Sequence, residues 1–227
     1  MRRYRYGFTY IELVIALSIM TILVSVTVPV VSKQVASQKI KTQKTNMNMI
    51  GEAIEVFFDD NGAFPSSMAD LLTDSGSFSL WAGPYYDTSL GASLFGGDAS
   101  PDDDAWGNQY LFSALSASSL RVSSPGPDQT AATGDDISLT VDVTFLRRRT
   151  TLEELEKINA AILAYNDAYL PGTPLPANWT TILSTLISEG YLQPEGGAYA
   201  TDGWGNAYEP VPAAATPVVR VRSSMFL

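Results

Sequence analysis

The sequence predicts an α+β fold. A long N-terminal helix, membrane-spanning in its first half and amphipathic in its second, packs on a small antiparallel sheet, and a second, smaller helix-plus-strands copy follows. Three observations predict this. Residues 8–31 are an apolar run with one charge, Glu12, and from Val35 and Ile40 through Met47, Ile50, Ile54 and Phe57 apolar residues recur on one helical face. Ile137, Leu139, Val141, Val143 and Phe145 alternate with polar residues, the period of a half-buried strand. The order helix, short helix, Asp-x-Trp-Gly-Asn-x-Tyr and strand occurs twice, and recurrence in fixed order marks an internal duplication.

The apolar run is the first element. A spanning helix needs roughly 20 mostly apolar residues, and residues 8–31 supply them. Arg2, Arg3 and Arg5 precede the run and the next basic residue is Lys33, which places the N-terminus in the cytoplasm and the remainder outside. A cleaved secretory signal is disfavoured, because the run exceeds the roughly 7–15 residues of a signal core and no small-x-small site follows it. A carboxylate within hydrocarbon costs on the order of 3 kcal/mol, so Glu12 reads as functional.

Arg5-Tyr6-Gly7 followed by Phe8-Thr9-Tyr10-Ile11-Glu12-Leu13 resembles the class III leader junction of type IV pilins and type II secretion pseudopilins. The resemblance implies a pilin-like fold, cleavage after Gly7 by a prepilin peptidase and methylation of Phe8. It makes Glu12 the fifth residue of the mature chain and Pro29 the family's helix-kinking proline. It also implies an assembly contact in which Glu12 of one copy meets the new α-amino group of its neighbour. Neither charge is stable alone in hydrocarbon, so pairing them favours assembly. An intramolecular pair and a protonated Glu12 are the alternatives.

Composition excludes several classes of function. The net charge is −10, and loss of residues 1–7 makes the chain more acidic still, so no basic stripe exists for nucleic acid and none is expected as a partner. The chain has no cysteine and no histidine, which removes disulfides, thiolate chemistry, the usual general base and the usual zinc ligand. There is no glycine-rich phosphate cradle and no serine nucleophile motif, so an enzyme is not expected.

The long helix is expected to end at Asn61-Gly62, with Pro65 blocking a restart. A short helix follows near residues 67–74, then a glycine-rich loop whose Trp81, Tyr85, Tyr86 and Phe95 pack on the sheet or, as the alternative, face a neighbouring subunit. Asp102, Asp103 and Asp104 read as a solvated turn in which Asp104 bonds its own backbone, with a metal site or a catalytic carboxylate pair as the alternative. Strands are expected at Tyr110 and Phe112, at residues 120–124 and at residues 137–145. Between the last two, Asp128, Asp135 and Asp136 supply carboxylates, and calcium takes six to eight hard oxygens from such flexible loops. Gly126-Pro127-Asp128 and Gly134-Asp135-Asp136-Ile137 resemble the calcium loop of major pseudopilins, except that Gln129 stands where glycine is usual. A polar hairpin loop with turn-capping aspartates is the alternative.

The second copy opens with Thr150 or Thr151 as helix N-cap and Glu153 or Glu154 as its capping-box partner. Leu152, Leu155, Ile158, Ile162 and Tyr165 form its apolar stripe, and residues 179–192 a short helix closed by Gly190. Trp204-Gly205-Asn206 and residues 218–224 repeat the earlier turn and strand. The copy stops where the first begins its aspartate loop, so no second calcium site is expected. Trp179, Tyr191 and Tyr199 belong to a core or line a sugar- or peptide-binding surface.

The expected division is a leader at 1–7, a membrane and filament-core helix at 8–31, a pseudopilin-like domain at 32–146 and a truncated repeat at 147–227. The resemblance implies a structural subunit of a type II secretion pseudopilus or type IV pilus-like filament. Its partners would be further copies in a helical homopolymer, the prepilin peptidase, an inner-membrane assembly platform, minor pseudopilins and, before assembly, membrane lipid. The alternatives are a minor pilin and a membrane-tethered, adhesin-like binding protein. The expected location is the bacterial inner membrane, single-pass with the C-terminus outside, and then a periplasmic or surface filament.

Overall fold

A computed structural model describes residues 9–87, 102–193 and 199–226, with the side chains at 24 and 26–30 outside the description. Helix α1 runs Tyr10–Asn61 without a break, 52 residues or about 78 Å. Gly62 stops it in the left-handed conformation (φ 68°), its N–H donating to Phe58 O at 2.8 Å, as the Asn-Gly pair predicts. The backbone stays helical through position 29, although proline brings no N–H to the ladder.

The first part of α1 stands free, with Tyr10, Ile11, Met20 and Ile22 more than half exposed. Among the described residues no helix is long and apolar enough to cross a membrane, and positions 24 and 26–30 interrupt the described side chains within the run. Burial begins at Gln43 and the apolar core at Met47, and Ile50, Ile54 and Phe57 are fully buried. Val35 and Ile40, expected on the packed face, remain exposed, since the first core gathers no described residue before Met47.

Helix α2 is Met68–Leu72. Strands β1 (Leu111–Ser116), β2 (Ser119–Ser124) and β3 (Ile137–Asp142) form an antiparallel sheet in the order β1-β2-β3, and α1 lies against β3. Gly51 permits that contact: a Cβ there would sit 2.7 Å from Leu139 Cδ2. The glycine costs α1 about 1 kcal/mol of helix propensity, and the close approach of β3 offsets it. The aromatic loop packs inward as expected. Phe57 meets Phe78 and Tyr85 edge-on at 4.8 and 5.2 Å, the Trp81 indole donates to Asp70 O, and Tyr86 is buried. Phe95 lies outside the described residues.

Two expectations fail at the end of the sheet. The alternating pattern runs to Phe145, but β3 stops at Asp142, and Phe145 is 73% exposed in the next helix. The Asp142 carboxylate accepts the Thr144 N–H at 2.8 Å, and Val143 N–H turns away to Ser118 O. That local bonding opens helix α3, Thr144–Tyr169, whose N-cap is Val143, seven residues before the expected cap at Thr150. The expected capping boxes at Thr150 and Thr151 are therefore absent. Both hydroxyls instead donate back within the helix, to Leu146 O and Arg147 O. Position 146/147, the expected division between the halves, falls inside α3.

Helix α4 is Trp179–Ser188, capped by Asn178, whose side chain accepts the Thr181 N–H. Strands β4 (Glu209–Val211) and β5 (Arg220–Arg222) pair antiparallel. They close a second core of Ile158, Ile162, Leu175, Ile182, Tyr208 and Val221. No third strand lies beside β5 among the described residues. The side chain of Asn159 takes that place, accepting Val221 N–H at 2.7 Å and donating to Val221 O at 3.3 Å, while Asn166 donates to Val218 O. Val221 thus turns its polar backbone away from β4, so its partner Pro210 forfeits no ladder bond.

Arg147 joins the two halves. Its guanidinium donates to Gly203 O and to Ala117 O in the β1–β2 turn, and lies 4.9 Å from the Phe58 ring centroid. Arg149 pairs with Asp59 nearby. Burial pulls the Arg147 pKa down, and Asp202 counters it.

Candidate functional site

Gly7 and Phe8 lie outside the described residues. The site begins at Thr9, the N-cap of α1. The Glu12 carboxylate accepts the Thr9 N–H at 2.9 Å and the Thr9 hydroxyl at 2.8 Å, and Thr9 Oγ1 accepts the Glu12 N–H. This is a reciprocal capping box, which satisfies the acid within its own chain. Thr9 was not singled out in the sequence, although threonine followed three residues later by glutamate is the signature of that motif. Pro29 lies in the helical stretch where side chains are not described.

The two Asp-x-Trp-Gly-Asn-x-Tyr segments have matching hydrogen bonds. In the first, Asp104 Oδ1 accepts N–H from Trp106 (2.9 Å) and Asn108 (2.8 Å), Asp104 Oδ2 accepts the Ser124 hydroxyl, and Ser124 Oγ accepts Gly126 N–H. In the second, Asp202 Oδ1 accepts N–H from Trp204 (3.0 Å) and Asn206 (2.8 Å), Oδ2 accepts the Ser223 hydroxyl, and Ser223 Oγ accepts Met225 N–H. Gly107 and Gly205 hold φ of 84° and 85°. Asp104 does bond its own backbone, but the turn is not solvated: the residue is 1% exposed, bound to a serine no local pattern announced. The tyrosines that close the turns also correspond. Tyr110 OH accepts from Gln43 of α1 at 3.0 Å, and Tyr208 OH donates to Glu154 of α3 at 2.6 Å.

The β2–β3 connection brings Asp128, Asp135 and Asp136 into one exposed loop. Asp135 Oδ2 accepts Asp128 N–H at 3.2 Å, Asp136 Oδ2 accepts Ala132 N–H at 2.8 Å, and Asp128 Oδ1 accepts Thr130 N–H at 2.8 Å. The Thr133 hydroxyl, donating at 2.7 Å, holds the Asp135 carboxyl below its ordinary range. Gly126 is held at φ 73°, and a Cβ there would meet Asp135 O at 2.5 Å, so only glycine fits this closure. Gln129 adopts φ 60°, the left-handed conformation that glycine takes without penalty. Among the described residues no three acidic side chains converge to hold a metal ion. The donor set nevertheless suits a hard cation in kind, offering carboxylate and carbonyl oxygens without nitrogen or sulfur side-chain ligands. A cleft of about 400 Å³ beside the loop is lined by Ile40, Lys44, Asp135, Asp136 and Ile137.

The aromatic residues of the second half mostly serve its core. Trp179 and Tyr199 are buried, Trp179 donates to Ala200 O, and its ring meets Tyr208 edge-on. Tyr191 is partly exposed, against Tyr165 and Tyr169.

Residues 30–141 match the model of a family described as type II secretion system, protein G. No curated protein and no solved structure is a significant match.

Proposed function

We propose, from the match of residues 30–141 to the type II secretion system protein G family, that the chain is a structural, non-catalytic subunit of a type II secretion pseudopilus or a related type IV pilus-like filament. The observation that supports this most is the continuous helix α1: its family-matched distal part is buried in a core, while its proximal part exposes apolar side chains along one rod. An exposed rod of that kind is stable only in lipid or among other rods, at roughly 1.5–3 kcal/mol for each large side chain withdrawn from water.

In this reading residues 8–31 anchor the unassembled subunit as a single span with the C-terminus outside. Cleavage after Gly7 frees the Phe8 amine. The Thr9–Glu12 capping box keeps the acid hydrogen-bonded until the amine of a neighbouring copy replaces that bonding with a charge pair. The second half, joined through Arg147, repeats the first by duplication and travels outside the filament core. Mass spectrometry of the protein from its cells should find N-methyl-Phe8 as the first residue, and Glu12→Ala should abolish filaments. An intact Met1, or a start beyond Pro29, removes this function.

Calcium belongs to the same proposal. Asp128, Asp135 and Asp136, with carbonyls of their loop, would hold the ion, which would tie the β2–β3 connection closed once one or more carboxylates turn from backbone N–H groups to the metal. Added calcium should raise the melting temperature by several degrees and chelator should reverse it. A melt indifferent to both excludes the site.

A further inference from the structure

The aspartate loop hangs from the fold at two points. At one end Ile137 pairs with Ser124 in the β2–β3 ladder. At the other, Gly126 N–H donates to Ser124 Oγ at 3.2 Å, and Gly126 O accepts from Asn108 Nδ2 at 3.2 Å. Among the described residues, the hydrogen bonds of 127–136 stay within residues 126–136. Gly126 is also where the loop closes on itself. A Cβ there would meet Asp135 O, and Asp135 Oδ2 in turn accepts Asp128 N–H. Behind Gly126 the bonding continues inward. Ser124, fully buried, donates to Asp104 Oδ2, and Asn108 Nδ2 lies 3.1 and 3.0 Å from the two Asp104 oxygens. The next residue, Ala105, donates its N–H to Oε1 of Gln43, which is fully buried on α1. An exposed loop is thus tied to a buried polar cluster at a single glycine.

Resting on the calcium reading, we infer that Asn108 and Ser124 are positioning residues for the cation. Neither is a candidate ligand. Together they fix Gly126, and through it the backbone of Asp135, so they set the affinity of the loop for calcium. With Gly126 untied, the two ends of the loop separate more easily, and binding must order the loop as well as hold the ion. Outer partners that orient metal ligands change affinity by roughly 10–100-fold. The second half supplies a matched contrast. Ser223 repeats Ser124: it is fully buried, donates to Asp202 Oδ2 and accepts Met225 N–H, yet residues 224–227 carry no acid. The same serine bond there serves its turn and no cation.

The test is calcium titration by isothermal calorimetry on the full chain in detergent, with a calcium-free melting curve on each variant so that all are compared folded. S124A and N108A are each expected to weaken calcium binding about tenfold, whereas S223A, which removes the equivalent bond from the second half, is expected to leave the affinity unchanged. N108A leaves the Ser124–Asp104 bond in place, so it decides the matter should S124A fail to fold. Unchanged affinity in N108A overturns the inference. So does an equal weakening in S223A, which would make the effect a general softening of the fold. An unsubstituted chain that binds no calcium overturns the calcium reading, and this inference with it.

Discussion

Asp104 and Asp202 each gather two backbone N–H groups and a serine hydroxyl from a strand remote in sequence, and both residues are buried. Removing such an acceptor strands its donors, so Asp104→Ala should cost about 2–4 kcal/mol in urea unfolding. For Asp202 burial opposes ionisation, but the Ser223 hydroxyl and the N–H groups of Asn206 and Trp204 outweigh it and hold the carboxyl below its ordinary value. A depressed folded-state pKa gives stability that is present above the unfolded value, about 3.9, and is lost as pH falls through the folded one. The second half should therefore lose stability progressively below about pH 4, and Asp202→Asn should flatten that slope in a pH series of melts. Gln129 presents the opposite case, a side chain in a conformation suited to glycine. Gln129→Gly should raise stability by about 0.5–1 kcal/mol in urea unfolding, the relief of the left-handed backbone exceeding the added freedom of the unfolded chain.

At the scale of elements, α1, α2, α4 and the strands β1 and β2 were legible because each rests on local signals. Asn61-Gly62 stops α1, and the apolar spacing from Met47 to Phe57 is its buried face. The start of α3 was not legible. Its alternating approach, Val141-x-Val143-x-Phe145, is strand-like, and the deciding contacts are Asp142 to Thr144 and Val143 to Ser118, the second across a turn. Arg147 was equally hidden. It reads as one of three consecutive arginines, yet it alone reaches Gly203, Ala117 and Phe58. Arg147→Ala should uncouple the cores, and calorimetry should resolve one cooperative transition into two. Of the candidate site, the acids were legible by type and spacing. Their actual partners, Thr9 for Glu12 and the loop N–H groups for the aspartates, follow from backbone placement.

At the scale of the molecule, the described residues form two cores joined through α3, with one bare rod extending from the first. Among the described residues the second core carries neither a rod nor an aspartate loop, and in the proposed filament it would lie on the outer surface. Asn159 gives that placement a practical consequence. One margin of the β4–β5 ribbon is sealed by an amide from α3, and the other is interrupted by Pro210, which has no N–H to offer. In the proposed filament, crowded copies would then find the N–H groups facing outward from this ribbon taken at Val221 and missing at Pro210. The outer half can be displayed at high density without seeding amyloid-like fusion between neighbours.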